Sequence, residues 1–135
     1  MKGTIRSLSE AQRAKIRQRM ATVVEHTAAA FDATATLHIN DGYPVTVNTD
    51  AEAKVCAEVM AELVGEENVA WNPPPTMGAE DFAYMLQEKP GAYVWIGNGK
   101  GQGTHGLHNP HYDFNDEILP LGASYWVTLA QRLLV

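Results

Sequence analysis

Apolar positions recur at steps of three and four from Ile16 through Met20, Val23, Val24 and Thr27 to Phe31. That spacing predicts one long helix with a single apolar stripe. The opposite face carries Arg13, Lys15, Arg17, Gln18, Arg19 and Glu25 and reads as a solvated face. Ser7 and Glu10 stand at capping-box spacing ahead of it, with Ser9 as the alternative cap. Residues 2–8 read as a short strand. Residues 33–40 alternate, with Ala33, Ala35, Leu37 and Ile39 on one side and Thr34, Thr36, His38 and Asn40 on the other. A half-buried strand follows from that period of two, ended by a turn at Asp41-Gly42. The first 42 residues are therefore expected to form strand–helix–strand, a unit too small to be stable without further strands or a partner.

Tyr43-Pro44 opens an extended connector to Asn48, the expected boundary between two structural units. A second helix is expected over about 50–64. Val55, Val59, Leu63 and either Cys56 or Met60 face inward, and Gly65 ends it. Cys56, inside this helix and without a neighbouring cation, reads as a packing thiol. Val69-Ala70-Trp71 reads as a short strand, followed by a stiff Pro73-Pro74-Pro75 segment that opposes helix. A short helix is expected from Gly78-Ala79-Glu80-Asp81 through Gln87, and a strand over Ala92 to Ile96. The last helix should begin near Asp116, which can cap it, and run to Leu134. Leu119, Leu121, Ala123, Trp126, Leu129, Ala130 and Leu133 supply its expected buried side. Strands alternating with helices after residue 45 predict an α/β layer.

Composition narrows the function classes. A chain of 135 residues makes one domain, or one and a piece of another. Ten basic against sixteen acidic residues give a net charge of −6, which argues against general nucleic-acid binding. No run of 18 apolar residues exists, so no membrane span is expected. Residues 1–10 lack the apolar stretch of a signal peptide. Cys56 is the one cysteine and has no internal disulfide partner, so a cytoplasmic location is the expectation.

Two segments carry candidate chemistry. Gly101, Gly103 and Gly106 make a formal G-x-G-x-x-G, but the motif runs into Leu107-His108-Asn109-Pro110 instead of opening a helix. Nucleotide binding is not supported, and a connector is the better reading. Beside it stand His105, His108 and His111, with Asp113 and Asp116 nearby. Neutral imidazole is a common ligand for zinc and related metals. Gly106 and Pro110 keep the three rings off one helical face, so at most one or two are expected to converge on an ion. The second candidate is Glu80-Asp81 at a helix start, where the macrodipole alone also favours acidic residues.

The order of motifs carries more than any one of them. GTIRSLS, GYPVTVN, MGAEDFAYML, PGAYVWIGNG and LHNPHYDFNDEILPLGASYWV together resemble the C-terminal part of bacterial N-acyl-amino-acid amidohydrolases. These are the hippurate hydrolase-like members of the aminoacylase/carboxypeptidase metallopeptidases, and the resemblance spans essentially the whole chain. It implies an α/β fold. Residues 1–42 would be the second half (β-α-β) of a ferredoxin-like lid and dimerisation domain, and residues 43–135 the C-terminal portion of the catalytic domain.

The resemblance also implies site residues. The family pattern H-x-P-x-[YF]-x-x-x-[DE] places a metal ligand on His108, with Pro110, Tyr112 and Asp116 following. It places Glu80 and Asp81 near the substrate site in a supporting role, and lets the backbone at Gly78 approach the substrate's carboxylate. Arg6 matches a family arginine with a structural role. In the complete enzyme two divalent metals, zinc or manganese, would activate a water for attack on the amide of an N-acyl amino acid. The other ligands and the general base of the family are absent here, where such a site needs about five or six ligands. The expectation is a fragment inactive by itself. It would associate as a homodimer through the unpaired half-lid or with a missing N-terminal half. The alternatives are one subunit of a split enzyme and a non-enzymatic metal-binding, ligand-binding or interaction module.

Overall fold

A computed structural model describes residues 1–99 and 105–134. Gly101 and Gly103 of the glycine motif lie outside the described residues. The described residues form four α-helices: α1 (Glu10–Ala29), α2 (Asp50–Val64), α3 (Phe82–Glu88) and α4 (Leu119–Leu133). Single 3₁₀ turns follow α2 at Glu66–Asn68 and precede α4 at Asp116–Ile118. The chain divides into two compact units. One comprises Met1–Val47 with Pro74–Lys89, the other Asn48–Pro73 with Pro90–Val135.

The strands expected over 2–8, 33–40, 69–71 and 92–96 are not formed among the described residues. A strand exists through its ladder, and no ladder joins these segments among the described residues. The expected α/β layering and the paired β-α-β half-lid are therefore not seen in the described residues, which are helical.

In the first unit, Ser9 takes extended backbone and its hydroxyl accepts from the Gln12 amide at 3.2 Å, so Ser9 is the cap of α1. Glu10 does not close a capping box. Its carboxylate instead accepts from the Val45 amide at 3.1 Å. Arg13 and Arg17, expected on a solvated face, both reach Asp41, Arg13 at 3.2 Å. Arg13 also donates to the carbonyls of Gly42 and Tyr43. These contacts hold the 41–45 segment along the start of α1. The apolar stripe of α1 is only partly covered: Ile16, Met20 and Val24 are half-buried, no residue of the helix is fully buried, Val23 is 53% exposed, and Phe31 lies beyond the helix end at 79%. The stripe was expected to cover a sheet, and no sheet is formed among the described residues. Arg6 donates to the Met77 carbonyl, and the rings of Tyr43 and Tyr84 meet edge to face at 6.1 Å. Ala83 of α3 is this unit's buried hydrophobic residue among those described.

The second unit holds the core. Cys56 and Val59 of α2 pack with Tyr125 and Leu129 of α4, and Val55, Met60, Leu63, Ala92 and Val94 close around them. Cys56 is thus a buried packing thiol, as its helical position suggested. Gly65 ends α2 with φ +86°, and a Cβ there would lie 2.6 Å from the Glu67 carboxylate. Arg132 bridges the helices on the outside, 2.7 Å from Glu62 and 3.4 Å from Glu58. Those groups are well exposed, so each pair contributes at most about 1 kcal/mol.

α4 turns only part of the expected side inward, Leu121 and Leu129, and adds Tyr125 to it. Tyr125 and Leu129 are buried, with Leu121 half-buried, whereas Leu119, Ala123, Trp126, Ala130 and Leu133 are exposed. Both sets satisfy helical spacing. A Cβ at Gly122 would meet Ile96 Cδ1 at 3.6 Å, an ordinary packing distance.

Candidate functional site

The histidine segment is a closed loop whose base is a clasp of two asparagines. The Asn98 carboxamide accepts from the Asn115 amide at 2.9 Å and donates to the Asp113 carbonyl at 2.9 Å. Asn115 returns a bond from its own carboxamide to the Asn98 carbonyl at 3.2 Å. Each side-chain amide thus replaces one rung of a missing ladder. Asn115 also caps the 3₁₀ turn before α4 by accepting from the Glu117 amide at 3.1 Å. The expected cap, Asp116, already lies inside that turn. Gly99 beside the clasp has φ +81°, and a Cβ there would approach Asn115 Nδ2 to 3.2 Å. The sequence signal for this clasp was present in two asparagines flanking the loop, but neither was singled out.

Within the loop, the Asn109 amide donates to the Gly106 carbonyl at 3.2 Å, and the Tyr112 amide to the Asn109 carbonyl at 3.0 Å. Two turns therefore follow one another, pinned by the Asn109 carboxamide, which accepts from the His111 amide at 2.9 Å. His108 sits third in the first turn with φ +68°, a position that favours glycine or asparagine. Its ring is exposed. His105 and His111, on either side of the turns, bring their rings to 5.6 Å between centroids.

The other predicted residues stand in the first unit. Glu80 is half-buried, and its carboxylate accepts from the Phe82 amide at 3.3 Å. That bond lies at the N-terminal end of α3, where backbone N–H groups lack partners within the helix. Asp81 is exposed at the N-cap position but makes no capping bond with its side chain. Gly78 is exposed, and the nearest atom to a Cβ there is Thr76 Oγ1 at 3.6 Å, so the chain itself leaves room for a side chain. Among the described residues, no three histidine, cysteine, aspartate or glutamate side chains gather where they could hold a metal ion. The bimetallic site was expected only of the complete enzyme, and no hydrolytic step is assigned to this chain by itself.

Comparison with known proteins decides the family. The description "Peptidase family M20/M25/M40" matches residues 5–132. The chain belongs to that family. It is 33% identical to the hippurate hydrolase of Campylobacter jejuni over 134 residues, covering 99% of this chain and 34% of that protein. It is 31% identical to IAA-amino acid hydrolase ILR1-like 6 of Arabidopsis thaliana, covering 98% of this chain and 30% of that one. Thermostable carboxypeptidase 2 of Saccharolobus solfataricus is 35% identical, over 96% of this chain and 33% of its own length. No solved structure matches. The chain thus spans about a third of the relatives it matches. Like them, it is a member of a hydrolase family. No helix among the described residues is long and apolar enough to cross a membrane.

Proposed function

We propose that this chain is the C-terminal portion of a metal-dependent amidohydrolase that cleaves the amide bond of N-acyl amino acids such as hippurate. One observation carries the reading. Nearly the whole chain aligns with one third of a hippurate hydrolase, while its described residues offer no cluster of three metal ligands. A bimetallic pocket of zinc or manganese then has to draw most of its ligands from the other two thirds of the enzyme.

In that enzyme, residues 1–42 belong to the second half of a lid domain and residues 43–135 to the catalytic domain. His108 supplies one imidazole ligand. Its exposed ring on a pinned turn supports that role, because the loop holds the ring ready without burying it. Glu80 and Asp81 stand near the substrate in a supporting role, and the backbone at Gly78 approaches the substrate's carboxylate. Segments 2–8, 33–40 and 92–96 become strands of a sheet when the remaining polypeptide is present.

The test is reconstitution. The chain alone, with zinc or manganese and hippurate, should release no glycine above background. Coexpression with an N-terminal polypeptide carrying the H-A-C-G-H-D segment should give a co-purifying, metal-dependent hydrolase that His108→Ala inactivates. Turnover by the chain alone, or a reconstituted enzyme indifferent to His108→Ala, would overturn the reading.

A further inference from the structure

We infer that His105 and His111 form a two-imidazole site for a borderline d-block cation such as Zn²⁺ or Cu²⁺, separate from His108. The family resemblance gives neither residue a role, so the inference does not depend on the proposed hydrolase. Its ground is geometric. Two imidazoles on one tetrahedral zinc, each bonded at about 2.0–2.1 Å, place their ring centroids about 5 Å apart. His105 and His111 stand at 5.6 Å with their planes tilted by 49°. A small rotation of either ring closes the difference.

The backbone keeps the two rings together. The successive turns at 106–109 and 109–112 reverse the chain between them, and the Asn109 carboxamide fixes the His111 amide. Both rings are exposed, so an ion reaches them without opening the fold. No third protein ligand joins the pair among the described residues, and water completes the coordination. An all-nitrogen pair favours Zn²⁺, Ni²⁺ or Cu²⁺ over Mg²⁺ or Ca²⁺, which take oxygen ligands. A bound ion would tie residue 105 to residue 111 and so stiffen the turn that carries His108.

Calorimetric titration of the whole chain with ZnCl₂, and electron paramagnetic resonance of the Cu²⁺ adduct, test the assignment. One equivalent should bind, with two nitrogen couplings in the copper spectrum. His105→Ala and His111→Ala should each weaken binding at least tenfold, with His105→Asn and His111→Asn as second variants. His108→Ala should leave affinity within twofold, and Mg²⁺ should not compete. Both residues are exposed, and each variant should keep its helices by far-UV circular dichroism. Absence of zinc binding, or binding lost in His108→Ala and kept in the other two, would refute the pair. Either result leaves the hydrolase proposal standing, because that rests on His108 and reconstituted activity.

Discussion

The carboxamide of Asn48 and the backbone of Tyr93 form a closed pair of hydrogen bonds across 45 residues of sequence. The Asn48 oxygen accepts from the Tyr93 amide at 2.8 Å, and its nitrogen donates to the Tyr93 carbonyl at 2.9 Å. Thr49 and Gly91 repeat the arrangement next door, through the Thr49 amide at 2.9 Å and the Thr49 hydroxyl at 3.0 Å. Two residues thus stand in for the neighbouring strand that segment 92–96 lacks. Asn48→Leu removes both of these part-buried hydrogen bonds and should destabilise the second unit by about 1–3 kcal/mol. Asn48→Asp should be at least as harmful, since a carboxylate then faces the Tyr93 carbonyl. Urea denaturation of the three proteins at neutral pH checks both.

Alkaline stability depends on Tyr125. Burial pushes its phenol above the ordinary value, and its hydrogen bond and charge coupling to Cys56 push it further. The folded chain therefore keeps a proton that the unfolded chain releases near pH 10. The stabilisation is full below that pH and is lost as pH rises through the folded value. The urea midpoint should fall above about pH 10 in the wild type and fall less steeply in Tyr125→Phe. Equal slopes in the two proteins would remove Tyr125 as the cause.

Core and surface should respond differently to the same truncation. Val59 is 0% exposed, so Val59→Ala should cost about 2–3 kcal/mol. Val23 on α1 is 53% exposed, and Val23→Ala should stay within about 0.5 kcal/mol. Thermal melts followed at 222 nm separate the two. A large loss at Val23 would mean that α1 is covered in solution.

Gly65 combines φ +86° with ψ +146°, a region that side chains avoid. Gly65→Ala should therefore cost about 1–3 kcal/mol. Asn is a poor rescue here, because its tolerated left-handed conformation has a much smaller ψ. Equilibrium unfolding of the two variants tests this ordering.

What could be read in advance follows from how local each signal is. Helix α2 was legible to the residue because Val55, Val59 and Leu63 repeat at helical spacing and Gly65 stops them. Helix α4 was legible as a helix but not in its orientation. Leu119, Trp126 and Leu133 make one apolar face and Leu121, Tyr125 and Leu129 another, and spacing alone does not rank them. The alternation of residues 33–40 carries a preference for a strand, yet pairing needs a second segment that the described residues do not supply. The asparagine clasps join positions 17 and 45 apart through side chains, which no periodic pattern announces. For the candidate site, the sequence picked out the loop and its histidines. The positive φ at His108 and the meeting of His105 with His111 depend on turn geometry that residue types only permit.

All three tryptophans lie at or beyond half exposure, Trp71 at 50%, Trp95 at 61% and Trp126 at 65%. The protein is therefore its own optical probe. Free chain should fluoresce at the long wavelength of indole in water, and any polypeptide that settles over Trp95 or Trp126 will shift that emission to the blue, with no label attached.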